Sequence, residues 1–351
     1  MSVPLVEAID LARHYQLAGR VLRALDGVDI AIAHGETLGL VGESGSGKST
    51  LGRALVGLQT PTHGTVRFDG VDTARVSGPA LRQLRRRRQL VFQDPSGALN
   101  PRMTVGATLL EHLRVQGWGR AAAGSRVADV LQQAGLSPAH ADRYPHEISG
   151  GQRQRAVIAR AISTDPDFLV ADEPVSALDV STRAQIINLL RSLQRRRGLA
   201  MLFISHDLSV VAHTCRRVAV MYLGRIVELA PRQALFATPR HPYTAALLSA
   251  VPVPDPARER VRDRIILPGE TPDPSAPPSG CRFHPRCPLA TDICARVDPP
   301  MRALAPGHTS ACHHAEEMPR IDASTMAARA TGGVQGNVGG AGSAAPHAKT
   351  G

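Results

Sequence analysis

Gly42-Glu43-Ser44-Gly45-Ser46-Gly47-Lys48-Ser49-Thr50 is the stretch on which the reading of this chain turns. It fits G-x-x-x-x-G-K-[ST]. It follows an apolar run, Thr37 to Val41, that predicts a buried strand, and it precedes an Ala- and Leu-containing helical stretch from Thr50 to Leu58. That strand–loop–helix context is what a phosphate loop requires. Glycines let backbone N–H groups curl around phosphate oxygens, and a helix N-terminus adds a favourable dipole. The expected contacts are Gly42, Ser44, Gly45, Gly47, Lys48, Ser49 and Thr50, with Lys48 reaching the outer phosphates and Ser49 offering its hydroxyl to Mg²⁺. The alternative is a flexible Gly/Ser loop that holds a lysine by accident. Composition argues against it, because the only other lysine in the chain is Lys349.

At 351 residues the chain can bury a sizeable core and hold more than one unit. It has no apolar run of the 18 or more residues that a spanning helix needs. Met1-Ser2-Val3-Pro4 does not read as a secretion signal, so a cytosolic protein, or one on the cytosolic surface of a membrane, is expected. The net charge of +11 suits nucleic acid, an anionic membrane surface or an acidic partner. Aromatics at 3% leave few stacking platforms for single-stranded nucleic acid.

Residues 5–33 read as short strands with turns near Gly19 and Gly27. Thr65 to Asp69 reads as a strand closed by Gly70, and Arg85 to Arg88 as a solvated helix face before the strand Gln89 to Phe92. Residues 96–147 are helical in pattern. Phe168 to Ala171 and Ala200 to Ser205 are apolar strands, and 218–229 predicts a hairpin around Gly224. Strands alternating with helices through 37–210 argue for an α/β fold with a largely parallel sheet covered on both faces. After residue 230 proline recurs, and 321–351 is Ala/Gly/Ser/Thr-rich and expected to be disordered.

Asp172 and Glu173 end an apolar strand. The first can hold Mg²⁺, directly or through water, and the second can polarise an attacking water; capping the next helix is the plainer alternative. His206 ends another apolar strand, on the edge where open α/β sheets bind ligands. Ile148-Ser149-Gly150-Gly151-Gln152 is a Ser-Gly-Gly turn opening a long helix, and thus a second potential anion site. One nucleotide pocket has no use for two such loops. Cys281, Cys287, Cys294 and Cys312 are spaced C-x5-C-x6-C-x17-C; in a cytosolic protein such a cluster suggests metal more than disulfides. Cys215 stands apart and reads as a small buried residue.

Tyr15, GESGSGKST at 42–50, Gln93 in VFQDP, ISGGQRQR at 148–155, FLVADEP at 168–174, SALD at 176–179 and His206 resemble, in that order, the ATP-binding-cassette (ABC) ATPases. The resemblance covers residues 5–230. It implies a P-loop core with a mostly parallel sheet, an antiparallel N-terminal subdomain and a helical subdomain at about 95–165. It also implies a head-to-tail dimer in which Ser149, Gly150, Gly151 and Gln152 of one cassette close on the γ-phosphate held by Lys48 of the other. By the same resemblance Tyr15 stacks on the base, Glu173 is the general base, and Gln93 contacts Mg²⁺ or the attacking water and senses a membrane partner. His206 holds the γ-phosphate, and Asp179 links the two sites.

HPYTAALLSAVP at 241–252, PGETPDP at 268–274 and PPSGCRFHPRCPLATDIC at 277–294 are similar to the extension of oligopeptide/dipeptide permease ATP-binding subunits, which places a loop-rich unit at 231–320 after a cassette at 1–230. Gln152, after Ser-Gly-Gly, makes the chain look like the F-type subunit. The resemblance implies ATP and Mg²⁺ as cofactors. The implied partners are a second ABC ATPase subunit, either different or identical, two transmembrane permease subunits and, indirectly, an extracytoplasmic binding protein. No nucleic acid is expected. The protein would lie on the cytoplasmic side of the inner membrane and energise peptide uptake; relatives with the same extension import nickel or glutathione. A soluble cassette ATPase acting on nucleic acid is the rival reading. For the four cysteines the resemblance favours a [4Fe–4S] cluster over zinc or free thiols.

Overall fold

The computed structural model describes residues 3–17, 19–252 and 264–318. Among these described residues twelve strands form two sheets. Val6–Leu17 (β1), Arg20–Ile32 (β2), His63–Phe68 (β4) and Val71–Asp72 (β5) make an antiparallel sheet in the order β2-β1-β4-β5. The second sheet contains Thr37–Val41 (β3), Arg88–Val91 (β6), Phe168–Asp172 (β7), Ala200–Ile204 (β8), Arg217–Tyr222 (β9), Arg225–Pro231 (β10), Arg302–Ala305 (β11) and His308–Ser310 (β12). Its order is β11-β12-β10-β9-β3-β8-β7-β6, parallel from β6 to β9 and antiparallel beyond. The strands β3, β7 and β8 are buried at every position, as continuous apolar runs in a sheet covered on both faces must be.

Among the described residues the α-helices are Lys48–Leu55 (α1), Gly78–Arg87 (α2), Pro95–Ala98 (α3), Val105–Val115 (α4), Arg120–Gln133 (α5), Gly150–Ile162 (α6), Val180–Arg197 (α7), Leu208–Thr214 (α8), Arg232–Ala237 (α9), Pro242–Ser249 (α10) and Asp292–Arg296 (α11). The helices α4, α5 and α6 pack on one another between β6 and β7 in the chain. Helix α7 starts on an Asp179 carboxylate that accepts the Thr182 N–H, and it stops at Gly198 in the left-handed conformation.

Several expectations need correction. Residues 5–33 form two long strands, and Gly27 lies inside β2 with φ +77 at a register shift, not at a turn between strands. The four-arginine run is not a uniformly solvated face. Arg87 reaches Asp69 and Asp167, while Arg88 opens β6, is buried and donates to the Leu55 carbonyl. The expected hairpin at 218–229 is present as β9–β10, turning at Leu223-Gly224. The segment after Pro231 contributes β11 and β12 to the edge of the core sheet, β12 pairing with β10. The expectation of a disordered tail at 321–351 falls outside the described residues.

Candidate functional site

The loop 42–50 runs from the end of β3 into α1. Two glycines are needed for its path. A Cβ on Gly42 would stand 2.2 Å from the Met221 carbonyl oxygen, and one on Gly47, at φ +105, 2.3 Å from that of Ala24. Gly47 is the N-cap of α1, so the first amides of the helix open toward the loop. Lys48 folds its ammonium back onto the carbonyls of Gly42 (2.8 Å) and Glu43 (2.7 Å) and onto Ser46 Oγ (3.3 Å). Burial lowers its pKa, against the pull of Glu173, Asp172 and Glu43.

Strand β7 delivers the two carboxylates. Asp172, 2% exposed, accepts from Ser49 Oγ at 2.9 Å. Burial raises its pKa, against the lowering by Ser49 and Arg53. A carboxylate so placed calls for a cation, and the Ser49 hydroxyl and Asp172 form a donor pair suited to Mg²⁺. Glu173 takes φ +44, a left-handed conformation rare for a residue with a Cβ, while its N–H is held by the Ile204 carbonyl at 3.1 Å. Its Oε2 accepts from Gln93 Nε2 at 2.9 Å and lies 3.4 Å from His206 Nδ1. Thus the ends of β3, β6, β7 and β8 bring the loop, Gln93, Asp172, Glu173 and His206 to one edge of the sheet.

Ser149, Gly150, Gly151 and Gln152 are not part of this gathering. Ser149 caps α6 by accepting the Gln152 N–H, and Gln152 Oε1 accepts the Ser149 N–H at 2.9 Å. Gln152 Nε2 also lies 3.2 Å from His140. Gly151 packs on α7, where a Cβ would meet Thr182 Cγ2 at 2.5 Å. Among the described residues no hydrogen bond joins 149–152 to 42–50. Asp179 lies beside this turn, its carboxylate held by Ser181 and Thr182. Tyr15, on β1, carries the Arg13 guanidinium over its ring at 4.6 Å.

Three residues that sequence reasoning missed grip the loop from outside: Tyr243, Thr271 and Arg286. The Glu43 N–H donates to Tyr243 Oη at 2.7 Å, and its carboxylate accepts from Arg286 at 2.8 and 3.2 Å and from Thr271 at 2.8 Å. Burial alone would raise the Glu43 pKa, but these bonds hold it below the usual range. No local pattern could reveal contacts spanning some 200 residues.

Cys281, Cys287, Cys294 and Cys312 are all free thiols. The Cys281 N–H donates to the Cys294 carbonyl at 2.8 Å, and the Cys312 sulfur accepts the His314 N–H at 3.4 Å. Burial raises the pKa of Cys281 to about 11 and of Cys312 to about 12. Among the described residues, no three His, Cys, Asp or Glu side chains are close enough to hold a metal ion. Of the nearby histidines, His308 is committed to Glu228 at 2.7 Å. Cys215 is buried at the end of α8, as expected.

Residues 25–176 match the family described as ABC transporter, and 227–294 match the family described as oligopeptide/dipeptide transporter, C-terminal region. The chain is 54% identical over 312 residues to a Brucella ovis protein named as a peptide import ATP-binding protein, covering 89% of this chain and 98% of that one. It is 49% identical over 294 residues to the oligopeptide transport ATP-binding protein AppF of Bacillus subtilis, covering 83% and 89%. Among solved structures it is similar to the dimeric ATP-binding cassette MJ0796 bound to ADP and Pi, with TM-score 0.59 and 29% identity over 65% of this chain and 98% of that one. It is also similar to cbiO1 of Clostridium perfringens, with TM-score 0.59 and 27% identity over 67% and 91%.

Proposed function

This chain belongs to the ABC transporter ATPases, in the branch with the oligopeptide/dipeptide C-terminal region, and on that premise we propose that it is the ATP-hydrolysing subunit of a peptide importer. The observation that carries the mechanism is the meeting of Lys48, Ser49, Asp172, Glu173, Gln93 and His206 on one sheet edge. ATP phosphates would take the place of the carbonyls that Lys48 now contacts, and Ser49 with Asp172 would hold Mg²⁺, which would neutralise phosphate charge. Glu173 takes a proton from the attacking water. Gln93 and His206 aim its carboxylate, and His206, with a largely exposed side chain, faces the incoming phosphate. Tyr15 receives the base once Arg13 moves aside.

The second anion site, Ser149 to Gln152, serves the nucleotide of a neighbouring cassette, with Asp179 at the junction. Two facts support this: the turn, with Ser149 exposed and Gly150 to Gln152 half-buried, is separate from its own phosphate loop, and the related MJ0796 cassette is dimeric. The neighbour is a second ATPase subunit of the importer. Among the described residues no helix is long and apolar enough to cross a membrane. The oligopeptide/dipeptide C-terminal region and the relatives named as import ATP-binding proteins support permease subunits as partners, with a binding protein beyond them and the ATPase docked on the cytoplasmic side. We assign the permeases' docking surface to the cavity of about 460 Å³ lined by Leu58, Arg88, His112, Arg160 and Phe92, the residue before Gln93 in the chain.

Co-expression with permease subunits encoded beside its gene, reconstitution into vesicles and ATP-driven uptake of a labelled oligopeptide test the whole reading. Uptake of nickel or glutathione with no peptide uptake would overturn the cargo, and failure to associate with any permease would overturn the role. The Cys281 and Cys312 sulfurs accept backbone N–H bonds, as cluster ligands do, but among the described residues no three His, Cys, Asp or Glu side chains are placed to hold a metal ion, so a cluster reading rests on the resemblance of the cysteine pattern. A [4Fe–4S] occupant is tested by iron and labile-sulfide analysis after anaerobic purification; zinc, or no metal, would refute it.

A further inference from the structure

The phosphate loop is held at Glu43 from two sides. Inside, the Glu43 carbonyl accepts from Lys48, the cation meant for the phosphates. Outside, its carboxylate lies in the fork of Arg286, and its N–H is tied to Tyr243. The groups doing the outer holding are themselves fixed. Arg286 is buried and ends the turn Phe283 to Arg286; Phe283 is buried edge-on against Tyr222 at 5.3 Å and against Tyr243 at 5.4 Å. Arg286 Nη1 is also 3.3 Å from Thr271 Oγ1, which closes the polar ring around the Glu43 carboxylate. A planar guanidinium gripping a carboxylate with both arms sets direction as well as charge.

We propose that Arg286 is a positioning residue for ATP binding: through Glu43 it holds the phosphate loop in its receiving shape and cancels a carboxylate that would otherwise face the triphosphate. The proposal rests on the reading of 42–50 as the phosphate loop and extends it to a residue outside the cassette motifs. It is not needed to keep the C-terminal segment in place. That segment is also fastened by β10–β12 pairing, by His308 to Glu228, by Arg282 to Asp26 and by Arg225 to Asp298. Loss of Arg286 should therefore loosen the loop and leave the segment docked.

The test uses the full chain, with fluorescent-ATP binding, steady-state ATPase kinetics and melting temperature measured together. Arg286→Met is expected to raise the Kd and KM for ATP about tenfold, with kcat within about twofold, and Arg286→Lys to recover part of that loss by restoring charge without the fork. Adding Glu43→Gln to Arg286→Met should restore the part of the affinity lost to the uncancelled charge; a mere structural staple would leave the double variant no better than Arg286→Met. Parental affinity in Arg286→Met, or no recovery in the double variant, overturns the proposal. If Arg286→Met does not fold, the comparison is made on Arg286→Lys alone and with Glu43→Gln. Lys48→Ala separates the two readings. If it abolishes ATP binding while Arg286→Met changes nothing, only the positioning role falls; if it binds ATP normally, the phosphate-loop reading falls.

Discussion

Glu173 concentrates the chemistry in one residue. Its left-handed backbone costs about 1–2 kcal/mol, met by the strand hydrogen bond to Ile204 that holds it there. In return its carboxylate leaves the strand pointing between Gln93 and His206. Glu173→Gln is expected to keep ATP binding, lower turnover at least about a hundredfold and trap an ATP-bound dimer on a sizing column. Turnover at the parental rate would refute the general-base role. Asp172 works differently. Buried beside Ser49, it is expected to set Mg²⁺ dependence, so Ser49→Ala should raise the Mg²⁺ concentration for half-maximal turnover at least about tenfold. An unchanged Mg²⁺ titration would count against that pair as the metal cradle. The carboxylates were legible in the sequence because an apolar strand ended on them. The conformation that aims Glu173 was not, since it depends on a neighbouring strand 31 residues on.

At the scale of elements, α6 shows one motif doing two jobs. Ser149 and Gln152 satisfy each other's amides as a capping box, so Ser149→Ala is expected to cost about 1 kcal/mol of stability, read as a shift in denaturant midpoint. If Ser149 also closes on a neighbour's nucleotide, turnover should fall far more than that small loss of folded protein explains. A fall no larger than the folded fraction would leave Ser149 a cap alone. The arginine run 85–88 shows the opposite case, where local pattern misleads. Four consecutive arginines look solvated, yet Arg88 begins β6 and turns into the protein to meet the Leu55 carbonyl. Of the four only Arg85 is exposed, Arg86 and Arg87 being half-buried on partners, and the change from helix to strand at Arg88 decides which way that residue faces.

On the scale of the whole molecule, the C-terminal segment is built into the core sheet. The Glu228 carboxylate, 0% exposed, accepts the N–H groups of Arg240 and His241 and pairs with His308 from β12. Glu228→Ala should cost about 3–5 kcal/mol, seen as a lower melting temperature and as proteolysis of the released segment; a parental melting temperature would refute it. Acid should act on the same molecule through buried histidines. Burial, helped by Arg160, holds His112 down at about 4, and burial holds His241 down at about 3. Between pH ~6.5 and those values the unfolded chain binds more protons than the folded one, so stability is full above ~6.5 and falls as pH drops. Melting temperature against pH checks this: the parent should decline over that window and His112→Gln should decline less. A flat parental profile would refute it.

By itself the sequence determined the phosphate loop, the apolar strands around it, the carboxylates at a strand end and the Ser-Gly-Gly turn at the start of a helix. Each of these is set by residues close together in the chain, through backbone freedom, periodicity and strand burial. Only the tertiary structure decided that β12 closes on β10, that Arg88 points inward, and that Tyr243, Thr271 and Arg286 reach back to Glu43. Those contacts join residues far apart in sequence, and which of many arginines meets which carboxylate follows from how the sheet places its edges, not from any local pattern.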